Sequence, residues 1–222
     1  MKIGIITYDK PHRKTQEVLF GLNQLGYKKI KLIITKFKKF KNKKKNNFFE
    51  HRPHQFEGPN INEISKYYGL SLSDMNDKKV FNNLDVTLIC GSALINQKLI
   101  KKNFIINCHS GLIPLRRGLD SFKWAVLNNE PIGNTLHFID SKVDFGKIIT
   151  HKLTPIFQSD TTHFFSKRHY SEEIRMLINF EYHLNNPNIL ELKTKNPKMR
   201  MPLDQEKIML KNFKQYKEIF CK

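Results

Sequence analysis

Apolar residues follow two rhythms along this chain, and the changes between them mark out the elements. Residues 2–7 form a compact β-rich run that "YDKPHRK" ends. Val18, Leu19, Leu22 and Leu25 then recur at helical spacing, and Gly26 closes the helix. The run "KIKLIIT" at 29–35 completes strand, helix, strand, the pattern of a βαβ unit and hence of a parallel sheet. Short helical pieces are expected at 61–68 and 73–82, and buried strands at 85–90 and 104–107. Residues 119–127 read as a helix opened by Asp120 and Ser121. "GNTLHFID" at 133–140 alternates like a strand, and "KIITHKLTPI" at 147–156 like its neighbour. The tail differs, with a long amphipathic helix near 160–185 and a last helix carrying Met209, Phe213, Tyr216 and Phe220 on one stripe. The layout predicts an α/β domain over 1–156 with a mostly parallel sheet, followed by a small, mainly helical C-terminal segment at 157–222.

Composition narrows the setting. A chain of 222 residues, 39% hydrophobic and with 17 phenylalanines, has the means to bury a core. No apolar run approaches the roughly 18 residues of a membrane span, and the start is too short in its apolar part for a signal peptide. Three unclustered cysteines offer neither a disulfide framework nor metal-ligand spacing, so a reducing cytoplasm and no metal are expected. The formal charge of +19 favours anionic partners in general. Its excess is mostly lysine in an asparagine-rich chain, which a biased coding composition produces without selection for binding. The densest run, "KFKKFKNKKKNN" at 36–47, lacks helical or alternating pattern and reads as an exposed loop. Phe37, Phe40, Phe48 and Phe49 keep a second reading open, a basic RNA-binding platform.

The chemistry concentrates in "NFIINCHSGLIPLRRG" at 103–118. If strand geometry holds to its end, Asn107 and His109 share one face and Cys108 points to the other. Parallel strands place ligands beyond their C-terminal ends, so Asn107 and His109 are cleft candidates and Cys108 a core residue. Adjacent residues on opposite faces do not easily form a Cys–His dyad. On these residues alone, His109 serves equally well as a cap for the turn that follows.

Asn-x-His-x-x-Leu-Ile-Pro, then Arg-Arg-Gly, then "GNTLHFID" and "VDFGKII", resembles the formyltetrahydrofolate-dependent formyltransferase family, most of all the sugar N-formyltransferases. The resemblance implies a Rossmann-like formyltransferase domain whose donor is N10-formyltetrahydrofolate. Its Asn, His and Asp fall here on Asn107, His109 and Asp144. Asn107 would donate to the oxyanion of a tetrahedral intermediate, His109 would take the attacking amine's proton, and Asp144 would hold the imidazole. Read without the family, Asp144 is a turn residue before Gly146. The family's pterin slot maps onto Ser92, Ala93, Leu94 and Ile95 of "GSALI" and onto Phe138, Ile139, Asp140 and Val143 of "FIDSKVD". His137 matches a family histidine and reads equally as a satisfied core histidine.

Three acceptor classes occur in that family. The purine enzymes carry a glycine-bearing phosphate loop after the first strand, where this chain has "ITYDKPHRK". The tRNA enzymes continue into a C-terminal β-barrel, whereas the residues after Pro155 read as helices. The expected acceptor is therefore a dTDP- or UDP-linked amino-dideoxy sugar, first dTDP-4-amino-4,6-dideoxyglucose, for surface polysaccharide. Lys10, His12, Arg13, Arg52, His54 and Arg117 are candidates for its anionic part, each also readable as an ordinary loop residue. No nucleic-acid or membrane partner is expected. The tail stripes (Ile174, Leu177, Ile178; Met209, Phe213, Phe220) read as packing or a homodimer seam. The alternatives are a phosphoribosylglycinamide formyltransferase, the RNA-binding protein and a non-catalytic relative; the intact trio counts against the last.

Overall fold

The computed structural model describes residues 1–37, 47–92, 95–100, 103–140 and 144–221. Of the lysine-rich run at 36–47, residues 38–46 lie outside the described residues, as do Ala93, Leu94 and Val143. The strands are β1 (Ile3–Tyr8), β2 (Ile30–Thr35), β3 (Ser71–Asp74), β4 (Val86–Ile89), β5 (Ile105–His109), β6 (Gly133–Phe138) and β7 (Ile148–Leu153). They form one sheet in the order β3-β2-β1-β4-β5-β6-β7. The first five run parallel, while β5–β6 and β6–β7 pair antiparallel. Helices α1 (Arg13–Gln24), α2 (Ile61–Tyr68), α3 (Gln97–Ile100), α4 (Ser121–Leu127), α5 (Thr162–Ile178), α6 (Phe180–Asn185) and α7 (Leu203–Phe220) surround it.

The apolar rhythm explains the packing. Val18, Leu19 and Leu22 of α1 and Ile174, Met176 and Leu177 of α5 join β1, β2, β4 and β5 in the main core. Leu25 lies just past α1 and is exposed. Phe122, Trp124 and Val126 of α4 form a second core with Met209, Phe213 and Tyr216 of α7. The tail's stripes are thus covered by the chain's own core.

The expected helix at 73–82 is not formed. Ser71–Asp74 instead adds β3 as a parallel edge strand on β2, and turns follow it. Asp74 and Asp77 are the reason. Their carboxylates accept the backbone N–H groups of Asn76 and Lys79, at 2.7 and 2.9 Å. Such bonds two residues ahead close turns that compete with a helix.

Candidate functional site

The site lies where β5 leaves the sheet. Pairing with β6 sets Asn107 opposite His137 and His109 opposite Thr135. Pleating sends Cys108 the other way, its sulfur 4.0 Å from that of Met176 on α5. Burial pushes the Cys108 thiol up to about 12, so it carries no thiolate near neutrality.

Asn107 and His137 form a pair with determined roles. His137 Nδ1 is 3.0 Å from the Phe138 carbonyl, which only accepts, so Nδ1 bears the ring proton. Its Nε2 then accepts from the Asn107 amide at 3.2 Å. Burial first, then the neighbouring His109, lower His137 to about 4, which keeps it the neutral acceptor. One N–H of Asn107 is held by this bond, and the other has no hydrogen-bond partner among the described residues.

His109 is buried and contacts both flanking turns. Nε2 lies 3.1 Å from the Arg116 carbonyl and 3.3 Å from Ser121 Oγ. Nδ1 faces Asp144 Oδ1 at 3.4 Å. Each ring nitrogen thus faces an oxygen that only accepts, the Arg116 carbonyl at Nε2 and a carboxylate at Nδ1, so the ring is placed to be stabilised when it carries both protons. Burial lowers His109 from its ordinary value, and Asp144 and the Arg116 carbonyl partly oppose that shift. Asp144 is held in turn: its Oδ2 accepts the Gly118 N–H at 3.1 Å. It adopts a left-handed φ of 55°, and Gly146 then tucks against the Phe138 carbonyl so closely that a Cβ would stand 1.6 Å from that oxygen. Asp144 thus forms the turn, as read without the family, and at the same time faces the His109 ring.

The remaining candidates divide. Ile95 and Ile139 pack on the cluster of Ile6, Ile33, Val80, Phe81 and Ile105, so the two proposed slot segments meet there. The Ser92 carbonyl accepts from Tyr8 Oη at 2.8 Å, Phe138 packs against the main core and Asp140 is exposed. Lys10 lies over the Phe37 ring at 5.2 Å. His12 is buried against Thr15 at 2.9 Å, and burial brings it down to about 4. Arg13 pairs with Glu17 at 2.9 Å and the exposed His54 with Glu57 at 3.1 Å. Arg52 is engaged by Glu173. Arg117 is buried with Nη2 on the Lys195 carbonyl at 2.7 Å and its guanidinium 3.9 Å from the Phe145 ring centre. Its Nε and Nη1 have no hydrogen-bond partner.

Lys14 and Glu173 escape a reading for chemistry, although Lys14 lies four residues before Val18 on the inward stripe of α1. The two are buried and 2.6 Å apart, and burial brings Lys14 down to about 8. With Arg52 they place two cations on one carboxylate. The fields of Arg52 and Lys14 reach His109 and add to its lowering.

Comparison with known proteins shows the family and the fold. The family described as "Formyl transferase" matches residues 1–180. A methionyl-tRNA formyltransferase of Thermodesulfovibrio yellowstonii is 29% identical over 180 residues, covering 76% of this chain and 55% of that enzyme. This chain spans about half the length, or less, of the curated relatives it matches. Among solved structures, a sugar N-formyltransferase from Shewanella sp. is similar in fold, with a TM-score of 0.63 and 20% identity over 96% of this chain and 88% of that one. An N-formyltransferase from Helicobacter canadensis, solved with folinic acid and dTDP-3-aminofucose, gives 0.60 and 17% over 96% of this chain and 80% of that one.

Proposed function

Because the chain belongs to the formyl transferase family, we propose that it moves a formyl group from N10-formyltetrahydrofolate to the amino group of a nucleotide-linked amino-dideoxy sugar. The observation that carries this reading is the placement of Asn107 and His109 on one face of β5, with Asp144 against the His109 ring and a second amide N–H of Asn107 without a hydrogen-bond partner among the described residues. The sugar as acceptor draws on the fold shared with the Shewanella and Helicobacter canadensis enzymes across almost the whole chain. Within that class dTDP-4-amino-4,6-dideoxyglucose is the first acceptor to try, its product serving surface polysaccharide assembly from the cytoplasm. Among the described residues no helix is long and apolar enough to cross a membrane.

In this mechanism the acceptor amine attacks the formyl carbon and the carbonyl oxygen gains negative charge. The free N–H of Asn107 donates to that oxygen, and one well-placed donor is typically worth about 3–4 kcal/mol at this step. The surplus proton of the amine goes to the His109 imidazole. The imidazolium so formed is stabilised by Asp144 at 3.4 Å and by its Nε2–H on the Arg116 carbonyl. Collapse of the tetrahedral intermediate breaks the bond to N10, and His109 returns its proton to that nitrogen. The buried excess of positive charge around Lys14 and Arg52 suits a diphosphate, as do the two unpartnered donors of Arg117.

Incubation with N10-formyltetrahydrofolate and a panel of dTDP- and UDP-linked 3-amino and 4-amino dideoxy sugars, plus glycinamide ribonucleotide, tests the proposal by mass spectrometry. Gain of one formyl group on a sugar, absent with Asn107→Ala and His109→Ala, supports it. Formylation of glycinamide ribonucleotide alone moves the assignment to the purine reaction.

A further inference from the structure

The family match ends at residue 180, yet residues beyond it grip the turn that carries Gly118. The grip begins at β7, where the His151 N–H donates to the Asn188 carbonyl at 2.7 Å. The Leu190 N–H donates to His151 Nδ1 at 3.0 Å, so Nε2 bears the ring proton and donates to the Ile113 carbonyl at 2.7 Å. One imidazole thus fastens the tail to the turn. Further along, the Lys195 N–H donates to the Pro114 carbonyl at 3.2 Å, and Lys195 Nζ reaches Glu130 at 2.5 Å. Lys198 donates to the Arg117 carbonyl at 3.0 Å, and its own carbonyl accepts from Leu119 at 2.8 Å. Between them, Gly118 runs as a parallel bridge beside Lys198, at a φ of +88° and so close that a Cβ would stand 2.2 Å from the Lys198 oxygen. Trp124 Nε1 on the Met199 carbonyl and the Met201 N–H on Asp120 close the far end, at 2.8 and 3.0 Å.

Gly118 also donates the N–H that holds Asp144. We infer that residues 188–201 form a positioning strap for the His109–Asp144 pair, with His151 as its clasp and Gly118 as the point of transmission. The strap bonds go to none of Asn107, His109 and Asp144; they fix the turn from which Asp144 is held. The contacts with the turn are mostly backbone to backbone, so side-chain replacement along 188–201 leaves them in place, whereas loss of an N–H or of the clasp does not.

The test compares His151→Leu, which removes both clasp bonds, with His151→Gln, whose amide offers a donor and an acceptor, and with Lys198→Pro, which removes the N–H on Arg117. The first readout is the NMR titration of the His109 ring, which needs no substrate. In His151→Leu and Lys198→Pro it moves to lower pH, because Asp144 no longer raises it, toward the value in Asp144→Asn. In His151→Gln it stays at the wild-type value, as it does in the remote control Tyr27→Phe. The second readout rests on the formyl-transfer reading: kcat falls on the order of 10²-fold in His151→Leu with KM little changed, the scale expected for misplaced catalytic groups. An unmoved His109 titration in a folded His151→Leu overturns the strap, whatever the melting temperature does. If Lys198→Pro fails to fold, the Leu and Gln pair decides alone. If the wild type transfers no formyl group, the function is wrong and the titration still judges the strap.

Discussion

The two arms of the site are built in opposite ways. The Asn107 arm is local to the sheet: Asn107 faces His137 because β5 and β6 pair in that register, and His137 takes its tautomer from the next residue's carbonyl. The His109 arm is assembled from distant pieces, with Arg116 and Ser121 on one ring nitrogen and Asp144 opposite the other. A register error would destroy both arms, since Asn107 and His109 share β5 and a one-residue slip turns every side chain to the other face. The second arm is open to smaller displacements of its turn. Both side chains stand on β5, and the arms differ in what holds them: the neighbouring strand for Asn107, the turns of Arg116 and Asp144 for His109.

Substitutions can break that contrast in order of effect. His109→Ala removes the proposed proton acceptor and is expected to cost about 10²–10⁴-fold in turnover, read as single-turnover formyl transfer. Asn107→Ala removes only the proposed oxyanion donor and is expected to cost about 10²–10³-fold. Were Asn107→Ala the more damaging, the oxyanion arm would dominate and the ranking of the two arms would reverse. His137→Leu takes one neutral hydrogen bond from Asn107, worth about 1 kcal/mol, so kcat falls several-fold with KM unchanged. A rise in KM alone would give His137 a role in binding instead.

Acidity separates the arms further. In the proposed mechanism His109 works as the neutral base, and burial lowers it, so formyl transfer is expected to hold at neutral pH and to fall only once pH drops through its folded value below the ordinary 6.5. Asp144 raises His109, so Asp144→Asn moves that acid limb to lower pH while lowering the plateau; a limb that stays in place would detach Asp144 from His109. Stability has its own window. His137 and His12 are both lowered to about 4 by burial. Their contribution is full above pH 6.5, where both folded and unfolded forms are neutral, and is lost between 6.5 and 4, where only the unfolded chain takes up protons. Melting temperature measured across that window should fall with pH, and less steeply in His137→Leu.

The comparison bears also on what could be read in advance. The facing of Asn107 and His109, with Cys108 turned into the core, follows from the period-2 rhythm alone, and the structure has it so. The stripes of α1, α5 and α7 are equally legible, because helix periodicity states which face is apolar. The 73–82 stretch misled because two aspartates bonding to backbone two residues ahead outweigh a loose helical pattern. Arg52 reads as an anion-binding loop residue, yet its partner Glu173 stands 121 positions away. Lys14 shows the converse, a charge on an apolar stripe whose place there implies a buried partner.

Local spacing thus determined the α/β layout, the parallel start of the sheet, the faces of its helices and the pairing of Asn107 with His109 on one side of β5. Only the tertiary structure decided which partners hold them. Asp144 meets Gly118 across 26 positions, and the 188–201 strap meets the turn across some 70 to 80. Periodicity records which way a side chain points along its own element. It carries no record of which distant backbone N–H will close against it, because that contact exists only once the whole sheet has set the distances.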